Sequence, residues 1–476
     1  MLKLLELAPK HFLSYLFKSF SNTLPIRLYL RLLGGVFFIN FASLLYQFND
    51  LALLDTSIRF PKFSLPFFFN VFNYIDYSYA LTVLIACFVL SIFLILLFIP
   101  FFSLLLIGFL YSSLIYFFPT FLSFQWDLLL IETALLSTFL ISPTVLILRK
   151  NNKLTLFNIQ LLPLIFLSIR LFFHSGLVKI FSNSRYWKTL TAMDYHLFSQ
   201  PMPHFLSYHV NNLVISLNLS PFLVFMMFVI ELIIPFGLLF SAYRRTSAII
   251  LIFFQCSILL TGNFGYFNFL VICPLLLFVL IDFDKSKIKW PNLSLKLPRS
   301  YYYLFLFFII STSSYHLVFR SVPQSVSNLS QSFNVFNNYG LFASMTTNQT
   351  ALTISVSKNG ADWIPLNLKY YDKFGYPTLD FVQPYLPRIR WQFWFLFLSS
   401  QTNFRWIRPF YATILNDPNK LSTFITPSDQ TNQSFNYLKV CFRDIVFNLD
   451  RNIHSIDYWY PISSFKCNII KSQNIH

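Results

Sequence analysis

The sequence predicts a polytopic α-helical membrane bundle of about nine transmembrane helices, followed by a small β-rich, non-cytosolic C-terminal domain. Three observations predict it. Only 11% of the 476 residues are charged and 56% are apolar, whereas a soluble domain is about a quarter charged. Nine apolar runs approach or reach the roughly 17–25 residues that a helix needs to cross a bilayer. Beyond residue 321 the composition shifts to Asn, Ser, Thr, Pro and charge. The same arithmetic excludes a disordered chain, which needs low hydrophobicity. It also excludes a disulfide scaffold, which shows dense cysteine in a short chain.

The expected organisation is a multi-pass domain over 1–321 and a tail domain over 322–476. The apolar runs cover 28–48, 79–99, 101–118, 128–148, 156–173, 222–242, 246–261, 264–281 and 302–319. Pro100 alone divides the second and third, which reads as a tight hairpin. Gly262-Asn263-Phe264-Gly265 divides the seventh and eighth, both short. The first 27 residues are amphipathic and basic. They show no cleavable signal, so the first span reads as a signal anchor.

Basic residues orient the bundle, because Lys and Arg of short loops stay in the cytoplasm. With nine spans and a cytoplasmic N-terminus, inner loops hold fourteen, among them Arg27, Arg149, Lys150, Arg244 and Arg245. Outer loops hold five: Arg59, Lys62, Lys179, Arg185 and Lys188. An odd span count then puts the tail outside the cytosol. Within the tail, 351–357 and 362–371 alternate as strands around Asn359-Gly360, a hairpin-turn pair. Residues 437–447 read as a third strand, and 391–400 and 406–415 as short helices.

Ionisable residues inside spans are costly and are functional candidates by default. Only three of the 18 acidic residues are Glu, and two of them, Glu132 and Glu231, lie in apolar runs. Asp127 sits at the mouth of the fourth run and Arg170 near the outer end of the fifth. Asn263 and Asn268 add to this intramembrane polar cluster. Arg170 paired with Glu132 or Glu231 would lock helix packing, since an Arg against a carboxylate allows bidentate bonding. Lys179 reads as an interfacial Lys that snorkels to water. Alternatively, desolvation would make it a proton acceptor, with His174 assisting.

In the tail, Arg388, Arg390, Trp391 and Trp394 are residue types enriched at binding hot spots, which makes them client-binding candidates. Trp391, Phe395 and Leu398 also fit the core face of a helix. Cys441 and Cys467 share the tail, where a disulfide is permitted. No metal site is expected, because His196, His204 and His209 have irregular spacing. The sequence holds no phosphate-binding Gly-Lys loop and no G-x-S-x-G elbow. The basic balance follows topology and implies no nucleic acid partner. No cofactor is implied.

Several ordered motifs resemble the lipase maturation factors. They include Gln125-Trp126-Asp127-Leu128-Leu129 with Glu132, and Arg170-Leu171-Phe172-Phe173-His174-Ser175-Gly176-Leu177-Val178-Lys179. Leu190-Thr191-Ala192-Met193-Asp194-Tyr195-His196 and Gln200-Pro201-Met202-Pro203 follow, then Glu231 to Pro235 and Leu260 to Asn268. Asn338 to Phe342 and Pro387 to Phe395 match in the tail. The resemblance implies a non-enzymatic, multi-pass factor embedded in a lipid bilayer. Its membrane is that of the endoplasmic reticulum in a eukaryote, or the inner membrane in a bacterium. Its partner would be a secreted, homodimeric lipase client that it helps fold and assemble. The bundle is also distantly similar to the membrane domain of vitamin K-dependent γ-carboxylase. That implies the alternative of an intramembrane enzyme on a lipid or quinol-linked substrate, with Lys179 as base.

Overall fold

The computed structural model describes residues 19–20, 23–55, 77–150, 156–281, 337, 339–398, 405–448 and 458–474. The expected span at 302–319 lies outside the described residues. Among the described residues, six helical stretches are long and apolar enough to cross a membrane.

Helix α1, Leu24–Leu54, starts on Pro25, whose fixed φ and missing N–H suit a first turn. Its 31 residues span about 46 Å, more than the hydrocarbon layer. Helices α2, Tyr77–Ile95, and α3, Pro100–Phe117, form the expected hairpin. Leu97 and Ile99 turn it at positive φ of 60° and 37°, and Pro100 opens α3.

The expected fourth span is corrected. Helix α4 covers Gln125–Ser137 and ends in a 3-10 turn, Thr138–Leu140. Pro143 disfavours helical backbone at Ser142 and supplies no N–H. The chain instead extends along the α2–α3 turn, with Ile99 N–H bonding Leu146 O at 2.6 Å and Leu148 N–H bonding Leu97 O at 3.0 Å.

Helix α5, Leu162–Ile180, runs seven residues beyond its expected end. The long loop after it folds into α6, Met193–Ser199, and α7, Phe205–Ser216. Helix α8, Ser220–Leu232, continues as a 3-10 segment, Ile234–Leu239, where Pro235 interrupts the α ladder. Helix α9 covers Ser241–Thr261. Helix α10, Phe267–Leu280, is only 14 residues long and carries Pro274 inside.

Helix ends alternate between two sides. On one side Thr23 Oγ1 donates to Lys150 O, Arg244 bonds Asn158, and the short strands β1, Ser19–Phe20, and β2, Leu156–Phe157, pair. On the other side the tail sits on the ends of α1, α5 and α9 and the starts of α4 and α10.

The tail is a five-stranded antiparallel sheet with order β4-β3-β5-β6 and β7 also on β5. Strand β3 is Gln349–Ser357, β4 Ile364–Pro365, β5 Tyr437–Phe447, β6 Trp459–Pro461 and β7 Lys466–Lys471. Gly360 makes the β3–β4 turn at φ +80°, while Asn359 Oδ1 accepts from the Ala361 and Asp362 N–H groups. The return strand is far shorter than the alternation of 362–371 suggests. Pro365 has no donor for the ladder, and only isolated bridges follow at Leu368 and Tyr371.

One face of the sheet (Leu352, Ile354, Val356, Leu438, Val440) shares a core with Phe410, Phe424 and Trp391. The aromatic members come from helices α11, Arg388–Leu398, and α12, Ile407–Asn416, and the loop after them. On the other face, Ala351, Ile445 and Phe447 meet Phe198 of α6 and Trp459 at one end.

Candidate functional site: buried charges at the joint of bundle and tail

Every carboxylate singled out in the spans is taken up by a cation. Three buried ion pairs result, and each is built by helices that the sequence places far apart.

The first joins Asp127 to Arg388. Asp127 is the third residue of α4, where a negative charge favours the helix N-terminus. Arg388 Nη2 lies 2.7 Å from Oδ1 and Nη1 lies 2.9 Å from Oδ2. Tyr111 and Tyr266 donate to Oδ1 at 2.6 and 3.0 Å. The Phe121 carbonyl takes a further Arg388 N–H. Such saturation is what a buried pair needs, because desolvating two ions costs several kcal/mol each.

The second joins Glu132 Oε1 to Arg170 Nη2, both fully buried. Tyr339 of the tail donates to the other oxygen, Oε2, at 2.8 Å, and its ring stacks under the guanidinium at 5.8 Å. Of the two partners considered for Arg170, the structure selects Glu132.

The third joins Lys179 to Glu231. Nζ lies 2.6 and 2.7 Å from the two carboxylate oxygens. Lys179 is 4% exposed, which corrects the snorkelling expectation. Glu231 needs a cation at its depth in the bundle, and Lys179 at the end of α5 reaches it. Trp187 faces the ammonium at 5.5 Å, held by its own Nε1–H to Phe342 O at 3.1 Å. His174 is buried on the same helix.

His196 of α6 lies outside the spans. Its Nδ1 is buried with no hydrogen-bond partner among the described residues, and its ring meets Phe342 edge-on at 4.8 Å. Burial, and after it the charge of Lys179, push its imidazole down to about 4.

Asn263 proves to be a tail clamp. Its Nδ2 donates to Asp380 O at 2.8 Å and its Oδ1 accepts from Val382 N–H at 2.8 Å. Asn268 is fully buried, and its amide has no hydrogen-bond partner among the described residues.

Arg388, Arg390, Trp391 and Trp394 are corrected as a client surface. None is more than 9% exposed. The bundle covers one side of α11 and the sheet the other. Trp391 packs on Trp126 and Phe264, Trp394 donates to Ser199 O, and Arg390 lies over the Tyr371 ring at 4.6 Å. Leu398, expected in the helix core, is 45% exposed. Cys441 and Cys467 form a disulfide between directly opposed residues of β5 and β7.

The sequence reading missed the polar stripe of α1. Asn40, Ser43, Gln47 and Asp50 share one helix face and are all buried. Gln47 bonds the Leu386 carbonyl and the Arg388 N–H, both at 2.9 Å. Asp50 accepts from Thr423 N–H at 2.8 Å and from its hydroxyl at 2.5 Å. Four polar residues recurring on one face of a span at i, i+3, i+7 and i+10 are the signal that could have found them.

The two parts joined in this way each match a known family model. Residues 24–286 match the lipase maturation factor transmembrane domain and 335–460 match the lipase maturation factor C-terminal domain. The chain belongs to the lipase maturation factor family. It is 26% identical to lipase maturation factor 1 of Mus musculus over 335 residues, covering 63% of this chain and 57% of that protein. The human protein is 27% identical over the same extent. Lipase maturation factor 2 of Xenopus laevis is 34% identical over 165 residues, covering 34% of this chain and 23% of that protein. The chain thus spans little more than half the length of the first of these relatives. No solved structure matches it significantly. The motif residues Asp127, Glu132, Arg170, Lys179, Glu231 and Asn263 of this family member all serve the helix and tail contacts described above.

Proposed function

We propose that this chain is a membrane-anchored maturation factor that helps a secreted, homodimeric lipase fold and assemble. The observation that carries the reading is the match of both family models to one chain whose tail is fixed on the bundle by buried charge. In this reading the bundle is an anchor and a rigid base, and the tail presents the client-binding surface. The division falls at 321/322. The role is non-enzymatic: Glu231 and Lys179 hold helices together, as their two short bonds favour. The test is co-expression of a homodimeric secreted lipase with the full chain and with a chain truncated after residue 321. The reading expects active dimer in the medium only with the full chain. Equal lipase activity from both would end the tail's role.

The proposed location is a secretory-pathway membrane, with the N-terminus cytoplasmic and the tail lumenal. In a bacterial cell the corresponding place is the inner membrane, with the tail in the periplasm. Charge supports this orientation. Arg27, Arg149, Lys150, Arg244 and Arg245 gather at the bundle end opposite the tail, and Lys and Arg stay cytoplasmic. The proposal keeps nine crossings, an odd number. The start of α10 bonds toward the tail side through Tyr266 and Asp127, and its other end points away. Asn337 is back beside Glu132. Protease protection of a C-terminal tag in sealed membranes tests the orientation.

A further inference from the structure

Among the described residues the sheet ends on one side in an unpaired edge. Strands β6 and β7 both pair with β5, and among the described residues nothing pairs with their outer side. An edge of this kind presents a row of N–H and C=O groups that an added strand can use. Here it also presents large apolar side chains. Tyr460 is 55% exposed, Ile462 54%, Phe465 38% and Ile469 59%.

Charge identifies what the edge takes. Lys466 and Lys471 close the two ends of β7. Lys439 and Arg443 stand on β5 beside it. Lys439 lies over Trp363 at 5.3 Å, Lys471 over Tyr437 at 6.0 Å, and Arg443 over Phe465 at 4.3 Å. Among the described residues none of the four has a carboxylate partner. A second copy of β7 is a poor occupant. Two copies brought edge to edge would juxtapose the same set of uncompensated cations, Lys439, Arg443, Lys466 and Lys471, and like charges across an interface are unfavourable. Ile469, Lys471 and, on β5, Lys439 share one face and Lys466 stands on the other, so an acidic strand meets the opposite sign on either face and apolar contact at Ile469.

We propose that the outer edge of β6 and β7 docks an acidic, extended segment of a partner polypeptide by strand addition. The proposal rests on the client-binding reading of the tail and names the chemistry of the segment bound.

The experiment uses the full chain in nanodiscs and two fluorescent peptides, one alternating Glu with Val and one alternating Lys with Val. The expected result is that the acidic peptide binds at least about tenfold tighter, with the preference weakening as salt rises. Methylating its backbone nitrogens on one edge, or introducing Lys439→Gln, Lys466→Gln and Lys471→Gln together, lowers affinity by about tenfold. Lys466 and Lys471 are exposed and Lys439 is half-buried over Trp363, so a melting curve of the triple variant is taken alongside, and the single Lys466→Gln variant, at an exposed side chain, must show the same direction of loss. Equal binding of both peptides overturns the proposal. So does indifference to methylation, or binding of a sulfated polysaccharide or anionic vesicles without binding of the acidic peptide. The lipase reading separates cleanly. A triple variant that still matures lipase sinks the edge and spares that reading. Acidic-peptide binding by a chain that matures no lipase does the reverse.

Discussion

Arg388 of the tail reaches the first turn of α4 and closes both terminal nitrogens on Asp127, 261 positions away in sequence. Around this pair stand Asn40 of α1, Tyr111 of α3 and Tyr266 at the start of α10. Removing the carboxylate would leave this guanidinium buried without a counter-charge, which is costly. The bundle and the tail are therefore held together by a charge that neither part satisfies alone.

Breaking that pair from one side costs more than removing it from both. Arg388→Met leaves the Asp127 carboxylate buried, and about 3–5 kcal/mol of stability is lost. Adding Asp127→Asn to Arg388→Met recovers part of the loss, giving a coupling of about 1–3 kcal/mol in a double-mutant cycle. Chemical denaturation in detergent provides the four values. Strict additivity would show that the two residues do not interact.

Glu231→Gln strands Lys179 rather than Arg170. The expected loss is again about 3–5 kcal/mol. Pairing it with Lys179→Met restores stability toward wild type, while pairing it with Arg170→Met lowers it further. Thermal melts of the two double variants decide which cation Glu231 serves.

His196 makes stability depend on pH. Its imidazole sits at about 4 in the fold and 6.5 when free. Between these values the unfolded chain binds the extra proton and the folded chain does not, so stability falls as pH drops from 6.5 toward 4. The full effect is on the order of 3 kcal/mol. His196→Gln flattens this part of a melting-temperature profile. An unaltered slope in the variant removes His196 from the account.

Gly265 turns between α9 and α10 at φ +59°, and a Cβ there would come within 2.8 Å of Leu386 Cβ. Gly265→Ala combines an unfavourable backbone with a clash against the tail. It costs about 2–4 kcal/mol and increases protease access to the tail. Limited proteolysis reads this directly, and a wild-type digestion pattern would contradict the contact.

The buried charges were legible because they interrupt apolar runs: Glu132, Arg170 and Glu231 stand out in any hydropathy scan. Their pairing was not legible, since Arg170 had two carboxylates within reach and Lys179 looked like an interfacial residue. Arg388 and Trp391 read as a binding surface for a related reason. Arg and Trp are enriched wherever large interfaces are buried, and here the interface is internal to the chain. The strands β3 and β5 follow from alternation, but the early end of β4 follows from Pro365 and the end of α4 from Pro143. Both prolines were visible. In each case the longer hydrophobic pattern around the proline masks its effect.

The most direct test of the joined architecture is a cross-link in intact membranes. Asp50 at the end of α1 and Thr423 of the tail are in hydrogen-bond contact. Asp50→Cys with Thr423→Cys, introduced together and exposed to a mild oxidant, is expected to form an internal disulfide in most of the full-length protein. The tail should then stay with the bundle after cleavage between residues 282 and 336. Release of the tail after that cleavage, with both new cysteines still free to alkylate, would contradict the account.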